Sequence, residues 1–368
     1  MTPRHLYAHV PFCARRCSYC DFSIAVRSDV PVAEYLNALR TELSIRLRDA
    51  ERPQLDTLYF GGGTPSRLGA SGISSAISLI RDYADITSDA EITIEANPDD
   101  VTAVEANAWI QAGINRVSLG IQSFDDSVLE WMHRVHDSAK AIESFETLRS
   151  AGFENISVDL IFALPESLGR SWERDLASAI DLDPEHISLY GLTIEPSTPL
   201  ARWRDRNVFI PADENRYAEE FLIADRMTAA AGFEHYEVSN FAKPARRSRH
   251  NSAYWTGAQY MGIGPSAHSY DGQVRSWNVS AYAAWVRRLS ENQTPTESEE
   301  QLTGSNRLAE KVYLGLRTRS GLALSDSDRA AAERWRQEGW ASLENEVVRL
   351  TPEGWLRLDS LAAALTGL

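Results

Sequence analysis

Two patterns of apolar residues alternate through the first half of the chain. Short apolar runs bounded by polar or glycine-rich turns lie at Leu6–Val10, Leu55–Phe60, Glu91–Ala96, Arg116–Ile121, Asn155–Phe162 and His186–Leu192. Between them, apolar positions fall at helical spacing over 32–49 (Val32, Tyr35, Leu36, Leu39, Leu43, Leu47), about 71–83, 102–112, 138–151 and 171–182. Short runs suit strands, and the 3.6-residue period suits helices packed on them. Six strands alternating with helices predict right-handed βαβ units and a parallel sheet. Polar and glycine residues gather towards the C-terminal ends of these strands. Both an α/β barrel and a flat doubly wound sheet build their sites there, and the pattern fits either.

The alternation stops near residue 201. Residues 215–231 predict one long helix and Phe233–Val238 a strand. The polar stretch 291–305 reads as a linker. Beyond it, helices are expected over 305–318 and 325–342, then a strand and turn from Val347 and a last helix. This gives three expected units: a core over 1–200, an extension over 201–295 and a small winged-helix-like module over 296–368. The module is not strongly basic, which favours a lid or partner surface over a DNA role. No internal repeat stands out beyond the βα alternation.

Composition narrows the class. Hydrophobic residues make up 43% and charged residues 24% of the 368, an ordinary globular balance. No apolar run approaches the ~18 residues of a membrane span. The start lacks the pattern of a secretory signal, so the expected compartment is the cytoplasm. The net charge of −15 argues against a general nucleic-acid or anionic-membrane binder.

All three cysteines fall within eight residues, Cys13, Cys17 and Cys20, at spacing C-x3-C-x2-C. A disulfide framework would want an even count. A Cys3His zinc site could recruit His5 or His9, although structural zinc sites usually draw ligands as two separated pairs. A [4Fe-4S] cluster takes soft thiolates, normally four, so three would leave one iron open. Three buried structural cysteines would not cluster in this way.

Other polar residues stand out. Gly61-Gly62-Gly63-Thr64 follows a strand but lacks the Lys-Ser/Thr of a nucleotide-triphosphate loop, and a tight turn is the plain alternative. Glu95 could cap a helix, and Arg134 could be a solvated charge. Asp159 lies in a buried-looking strand, where a carboxylate needs a partner. Farther on comes His250-Asn251-Ser252-Ala253-Tyr254-Trp255. Neutral imidazole is a common haem ligand, and Tyr254 and Trp255 offer flat apolar faces. Lys243, Arg246, Arg247 and Arg249 could meet propionates. A core histidine, a packing pair and a solvated charge run are the plain alternatives.

The cysteine spacing after Leu6-Tyr7-Ala8-His9-Val10-Pro11-Phe12 resembles the radical S-adenosylmethionine (SAM) superfamily. Phe60–Ser66, Ser118–Phe124 and Leu6–Cys13 narrow the resemblance to the oxygen-independent coproporphyrinogen III oxidase-like family. That implies a partial (β/α)6 barrel, open on one side, with a C-terminal α+β extension. It also implies a [4Fe-4S] cluster on Cys13, Cys17 and Cys20, whose open iron chelates SAM and whose electron cleaves it. The family's SAM contacts carry over onto Tyr7, Tyr19, Gly62, Gly63 and Thr64. They carry over also onto Glu95, Gln122, Arg134 and Asp159. No residue is carried over as catalytic.

Two features then point to the haem-chaperone branch of that family. The oxidases usually have a fourth cysteine two residues after the third, where this chain has Phe22. The His250 motif, followed by Tyr260–Ser269, resembles one linked to haem binding there, implicating His250, Tyr254 and Trp255. The resemblance thus implies a SAM- and cluster-binding protein that carries haem to an acceptor, with respiratory proteins as candidates and a homodimer as an option. The alternative is a working coproporphyrinogen III oxidase, and a third reading is a zinc module on a degenerate barrel. Three positions depart from the family pattern: Ala163 and Glu166 stand for glycines, and so does His133.

Overall fold

The computed structural model describes residues 3–48 and 51–367 of the chain. Strand β1 (His5–Val10) runs into β2 (Phe12–Cys13), which pairs with β3 (Ala25–Val26). The larger strands β4 (Gln54–Gly62), β5 (Asp85–Ala96), β6 (Arg116–Gln122), β7 (Ile156–Phe162) and β8 (His186–Gly191) follow. Helices α1 (Val32–Arg46), α2 (Gly69–Tyr83), α3 (Ala103–Ala112), the pair α4 (Asp126–Trp131) and α5 (Ser138–Ala151), and α6 (Trp172–Asp181) cross over between them. All the expected strands and helices of the first 200 residues are present. The helix expected over 32–49 ends at Arg46, with residue 49 outside the described residues, and β5 starts before Glu91.

Local chemistry sets these boundaries. Thr102 and Asp137 accept backbone N–H groups at the starts of α3 and α5, and both helices stop at a left-handed glycine, Gly113 and Gly152. The six parallel strands lie side by side in the order β1-β4-β5-β6-β7-β8. A doubly wound sheet would reverse direction at a switch point. This order never reverses, so the sheet is the partial barrel that the resemblance implied.

The barrel does not close on itself. Beyond β8 come two short antiparallel strands, β10 (Asn240–Ala242) and β9 (Glu234–Glu237). Beyond β1 comes β11 (Tyr260–Ile263), parallel to it, then antiparallel β12 (His268–Tyr270), β13 (Val274–Asn278) and β14 (Thr296–Gln301). The extension also holds α7 (Pro199–Asp205), α8 (Glu214–Ala230), α9 (Arg249–Trp255) and α10 (Tyr282–Ser290). A buried carboxylate ties it to the core: Glu42 of α1 accepts from Gly264 N, Asn278 Nδ2 and Trp285 Nε1, and pairs with Arg46.

Two expectations fail here. The stretch 291–305 is no simple linker, because Thr296–Gln301 forms β14 at the edge of the large sheet. The expected unit boundary at 295/296 falls at the start of that strand. The helix expected over 325–342 is shorter, α12 (Arg329–Gln337), and its tail becomes β16 (Ala341–Glu344). With α11 (Gly304–Arg317), β15 (Leu322–Ala323), β17 (Val347–Leu350), α13 (Pro352–Trp355) and α14 (Leu358–Thr366), it completes a small module. Its three-stranded sheet runs β15-β17-β16. Among the described residues no helix is long and apolar enough to cross a membrane.

Candidate functional site

The cysteines sit on a loop pinned at both ends. Ala25 N donates to Pro11 O at 2.7 Å and Arg27 N to Cys13 O at 3.0 Å. In its middle, Ser18 N donates to Met132 O and Ser18 O accepts from Leu200 N. The loop so held presents all three thiols to a cavity of about 440 Å³ at the C-terminal ends of the barrel strands. Thr64 Oγ1 lies 3.4 Å from Cys13 Sγ, and Arg134 Nη1 donates to Cys17 Sγ at 3.5 Å. Burial pushes the Cys13 thiol up and the Cys20 thiol up to about 11.

This donor set fits an iron–sulfur cubane with one iron open. Three soft ligands share one wall, and two of the three sulfurs have a polar partner. A cubane takes one thiolate per iron, so its ligands need not converge on a point. A single zinc ion needs convergence. Among the described residues no three or more His, Cys, Asp or Glu side chains are grouped to hold one ion. The histidines proposed for zinc are engaged elsewhere. His9 Nε2 donates to Ser23 O and its Nδ1 faces the Tyr7 hydroxyl, while His5 Nδ1 faces Thr57 Oγ1. Phe22, at the fourth-cysteine position, is 61% exposed and lines the cavity wall.

Tyr19, Gly62, Gly63 and Thr64 line this cavity, as do Glu95, Gln122, Arg134 and Asp159. Tyr7 does not. It faces a second cavity of about 480 Å³, which shares Gly62, Glu95, Asp21 and Phe22 with the first. The glycines answer first to packing. Gly62 has φ +113°, and a Cβ there would lie 2.5 Å from the His9 ring; one on Gly63 would lie 2.6 Å from the Pro11 backbone. The tight-turn reading therefore explains both.

Glu95 lies half-buried beneath them. It accepts from Tyr59 Oη at 2.8 Å and Gly62 N at 3.0 Å, yet burial raises its pKa to about 7. Asp159 finds the partners its strand position demanded: Ser118 Oγ at 2.9 Å and Ser157 Oγ at 3.1 Å both donate to it. Burial still raises its pKa. Arg134 is not a solvated charge. It donates to Asn97 Oδ1 at 2.6 Å and to Gly120 O at 2.8 Å. Asn97 was the residue sequence reasoning passed over, although it lies two positions after Glu95. Its side chain joins Arg134 to Thr64, 3.3 Å away.

The departures from the family pattern also resolve. His133 (φ +59°) and Ala163 (φ +57°) adopt the left-handed conformation that glycine favours, and Ala163 N is held by Glu220. Glu166 shows no such strain and opens a short 3-10 turn.

The His250 motif behaves differently from expectation. His250 is 1% exposed. Its Nδ1 lies 2.7 Å from Thr57 Oγ1 and its Nε2 3.0 Å from Tyr254 Oη. Its ring stacks on Tyr59 with centroids 4.9 Å apart, and its backbone N donates to Glu91. Burial lowers its pKa to about 3, so it is neutral. Both ring nitrogens are engaged in this arrangement, as the core-histidine alternative would have it. Three of the four residues of the basic run pair with carboxylates: Lys243 with Asp183, Arg247 with Glu234 and Arg249 with Asp89. Tyr254 lines the second cavity, and Tyr254 with Trp255 lines a third, outer groove.

Comparisons place this geometry among known proteins. The radical SAM superfamily signature matches residues 7–176. "Heme chaperone HemW" of Bacillus subtilis is 37% identical over 318 residues, covering 86% of this chain and 84% of that one. "Heme chaperone HemW" of Mycobacterium tuberculosis is 36% identical over 372 residues, covering 99% and 95%. The solved coproporphyrinogen III oxidase (HemN) of Escherichia coli superposes with a TM-score of 0.83 over 99% of this chain and 90% of that one. At 22% identity, that likeness speaks to the fold alone. By its near full-length relatives, the chain belongs to the haem chaperone HemW family of the radical SAM superfamily.

Proposed function

We propose that this chain is a haem chaperone. It holds a [4Fe-4S] cluster on Cys13, Cys17 and Cys20 and SAM in the cavity beside them, binds haem and passes it to an acceptor protein. The observation that carries this is Phe22. Where oxidases of the family have a fourth cysteine, an exposed aromatic ring stands in the wall shared by two cavities.

When bound, the cluster and SAM supply one-electron chemistry. The residues around them do the rest. The Arg134 guanidinium donates to Cys17 Sγ and Thr64 Oγ1 is in reach of Cys13 Sγ, so both stabilise negative charge on sulfur. Glu95 would be the carboxylate that holds the SAM ammonium. A cation beside it restores the ionised form that burial disfavours. Asp159 is held in place by its serines and offers a second acceptor. Arg134 is fixed by Asn97 and Gly120 and would meet the SAM carboxylate.

The test is a Soret-band titration of anaerobically reconstituted protein, with haem release to an apo-acceptor as a second readout. The same protein is assayed with coproporphyrinogen III, SAM and a reductant. Saturable haem binding without conversion of the porphyrinogen is expected. Clear conversion to protoporphyrinogen would instead establish the oxidase.

A further inference from the structure

We propose that His268, not His250, is the protein ligand of the haem iron, and that the macrocycle lies in the second cavity against the cluster loop. This rests on the haem-chaperone reading. The two histidines differ in what they leave unused. Both nitrogens of His250 are engaged and its ring is sealed in the barrel wall. His268 is exposed, lines the second cavity, and has no hydrogen-bond partner for either ring nitrogen among the described residues. Neutral imidazole with a free nitrogen is what haem iron takes.

The chain is built to present this side chain. β12 turns back from β11 through Gly264 (φ +97°) and Ser266 (φ +62°). A Cβ on Gly264 would lie 2.5 Å from His9 O, and one on Gly262 only 2.1 Å from His268 O. The hairpin is therefore pressed flat on β1, with Gly262 N donating to Ser269 Oγ at 3.0 Å. Trp277 on the next strand stacks beside the imidazole, centroids 5.8 Å apart and planes 25° apart. These contacts fix the ring without consuming its nitrogens.

The surroundings suit a porphyrin. The cavity, about 480 Å³, is within the roughly 300–1,000 Å³ of cofactor sites. Tyr7, Tyr254, Tyr260 and Phe22 supply aromatic walls, Tyr254 edge-on to Tyr260 at 4.7 Å. The lining carboxyls Asp21 and Glu95 repel propionates, so the macrocycle enters apolar edge first. Phe22 then meets its face, which gives the residue at the fourth-cysteine position a task. His250 becomes a positioning residue that holds the Tyr254 hydroxyl. Coordination forms one N–Fe bond at a nitrogen lone pair and requires no redox change.

The experiment compares wild type, His268→Ala and His250→Ala of the full chain, titrated with haem. His268→Ala should weaken binding at least about tenfold and change the Soret position, and added imidazole should restore the wild-type spectrum. Imidazole rescue separates ligation from a structural role. His250→Ala that remains folded should lose some affinity through the released Tyr254 wall, keep a histidine-ligated Soret position and gain nothing from added imidazole. A His268→Ala protein with wild-type affinity and spectrum overturns the assignment. No saturable binding by wild type strikes the haem-chaperone reading itself.

Discussion

The cysteine loop and helix α9 are equally conspicuous as motifs, and they end in opposite states. The loop is held by its backbone, through Pro11, Cys13, Ser18 and Met132, so its thiols are not needed to hold it and keep only single long contacts from Thr64 and Arg134. Helix α9 is held through its motif side chains: His250 is used at both nitrogens by Thr57 and Tyr254, and its ring by Tyr59. Reactivity toward a ligand needs valence left over. A histidine whose two ring nitrogens are both consumed internally is a scaffold for something beside it.

The sharpest way to break this contrast is Cys17→Ser. Iron and sulfide content after anaerobic reconstitution should fall almost to background, with thermal stability little changed. A variant with the full complement would make the loop structural. Next in size is His250→Ala. Removing a buried ring that satisfies two hydroxyls should destabilise the fold by roughly 2–4 kcal/mol in denaturant unfolding. A loss below about 0.5 kcal/mol would show that the helix is not anchored by this residue.

Glu95 sharpens the loop side of the comparison. Its raised pKa means that the carboxyl is protonated below about pH 7 and ionised above. The SAM ammonium needs the ionised form, so affinity should rise with pH, by up to roughly tenfold between about pH 6 and pH 8. Glu95→Gln should flatten that dependence in calorimetric titrations while leaving the cluster spectrum alone. An unchanged pH profile in the variant removes Glu95 from the site. The smallest effect expected is from His133→Gly. Relieving a left-handed histidine should stabilise by about 0.5–1 kcal/mol, part of it offset by lost packing on Trp203, 5.2 Å away.

Most of the barrel was legible because its strands are buried on both faces and read as apolar runs between punctuating turns. The cluster loop was legible because its residues are neighbours in sequence. β14 was not: Thr-Glu-Ser-Glu-Glu-Gln is almost wholly exposed at a sheet edge, so no apolar alternation marks it. Nor was the sealing of His250, whose partners Thr57 and Glu91 lie 193 and 159 residues away. Which cavity Tyr7 lines was hidden for a related reason. Its strand position was clear, but which of two adjoining cavities it faced depended on Gly62 and Glu95. Arg116 went unnoticed as an ordinary strand-start charge, yet it is 1% exposed in the barrel interior near Glu91 and Asp159.

The polar edge strand has a further consequence. An open twelve-stranded sheet presents unpaired backbone groups at its rim, an invitation for another copy to add on. On β14 that rim carries Glu297, Glu299 and Glu300. A second copy pairing there would bring like charges face to face, so end-to-end polymerisation through this edge is discouraged at the concentrations of a crowded cell. The segment least like a strand in sequence thus keeps the sheet finite.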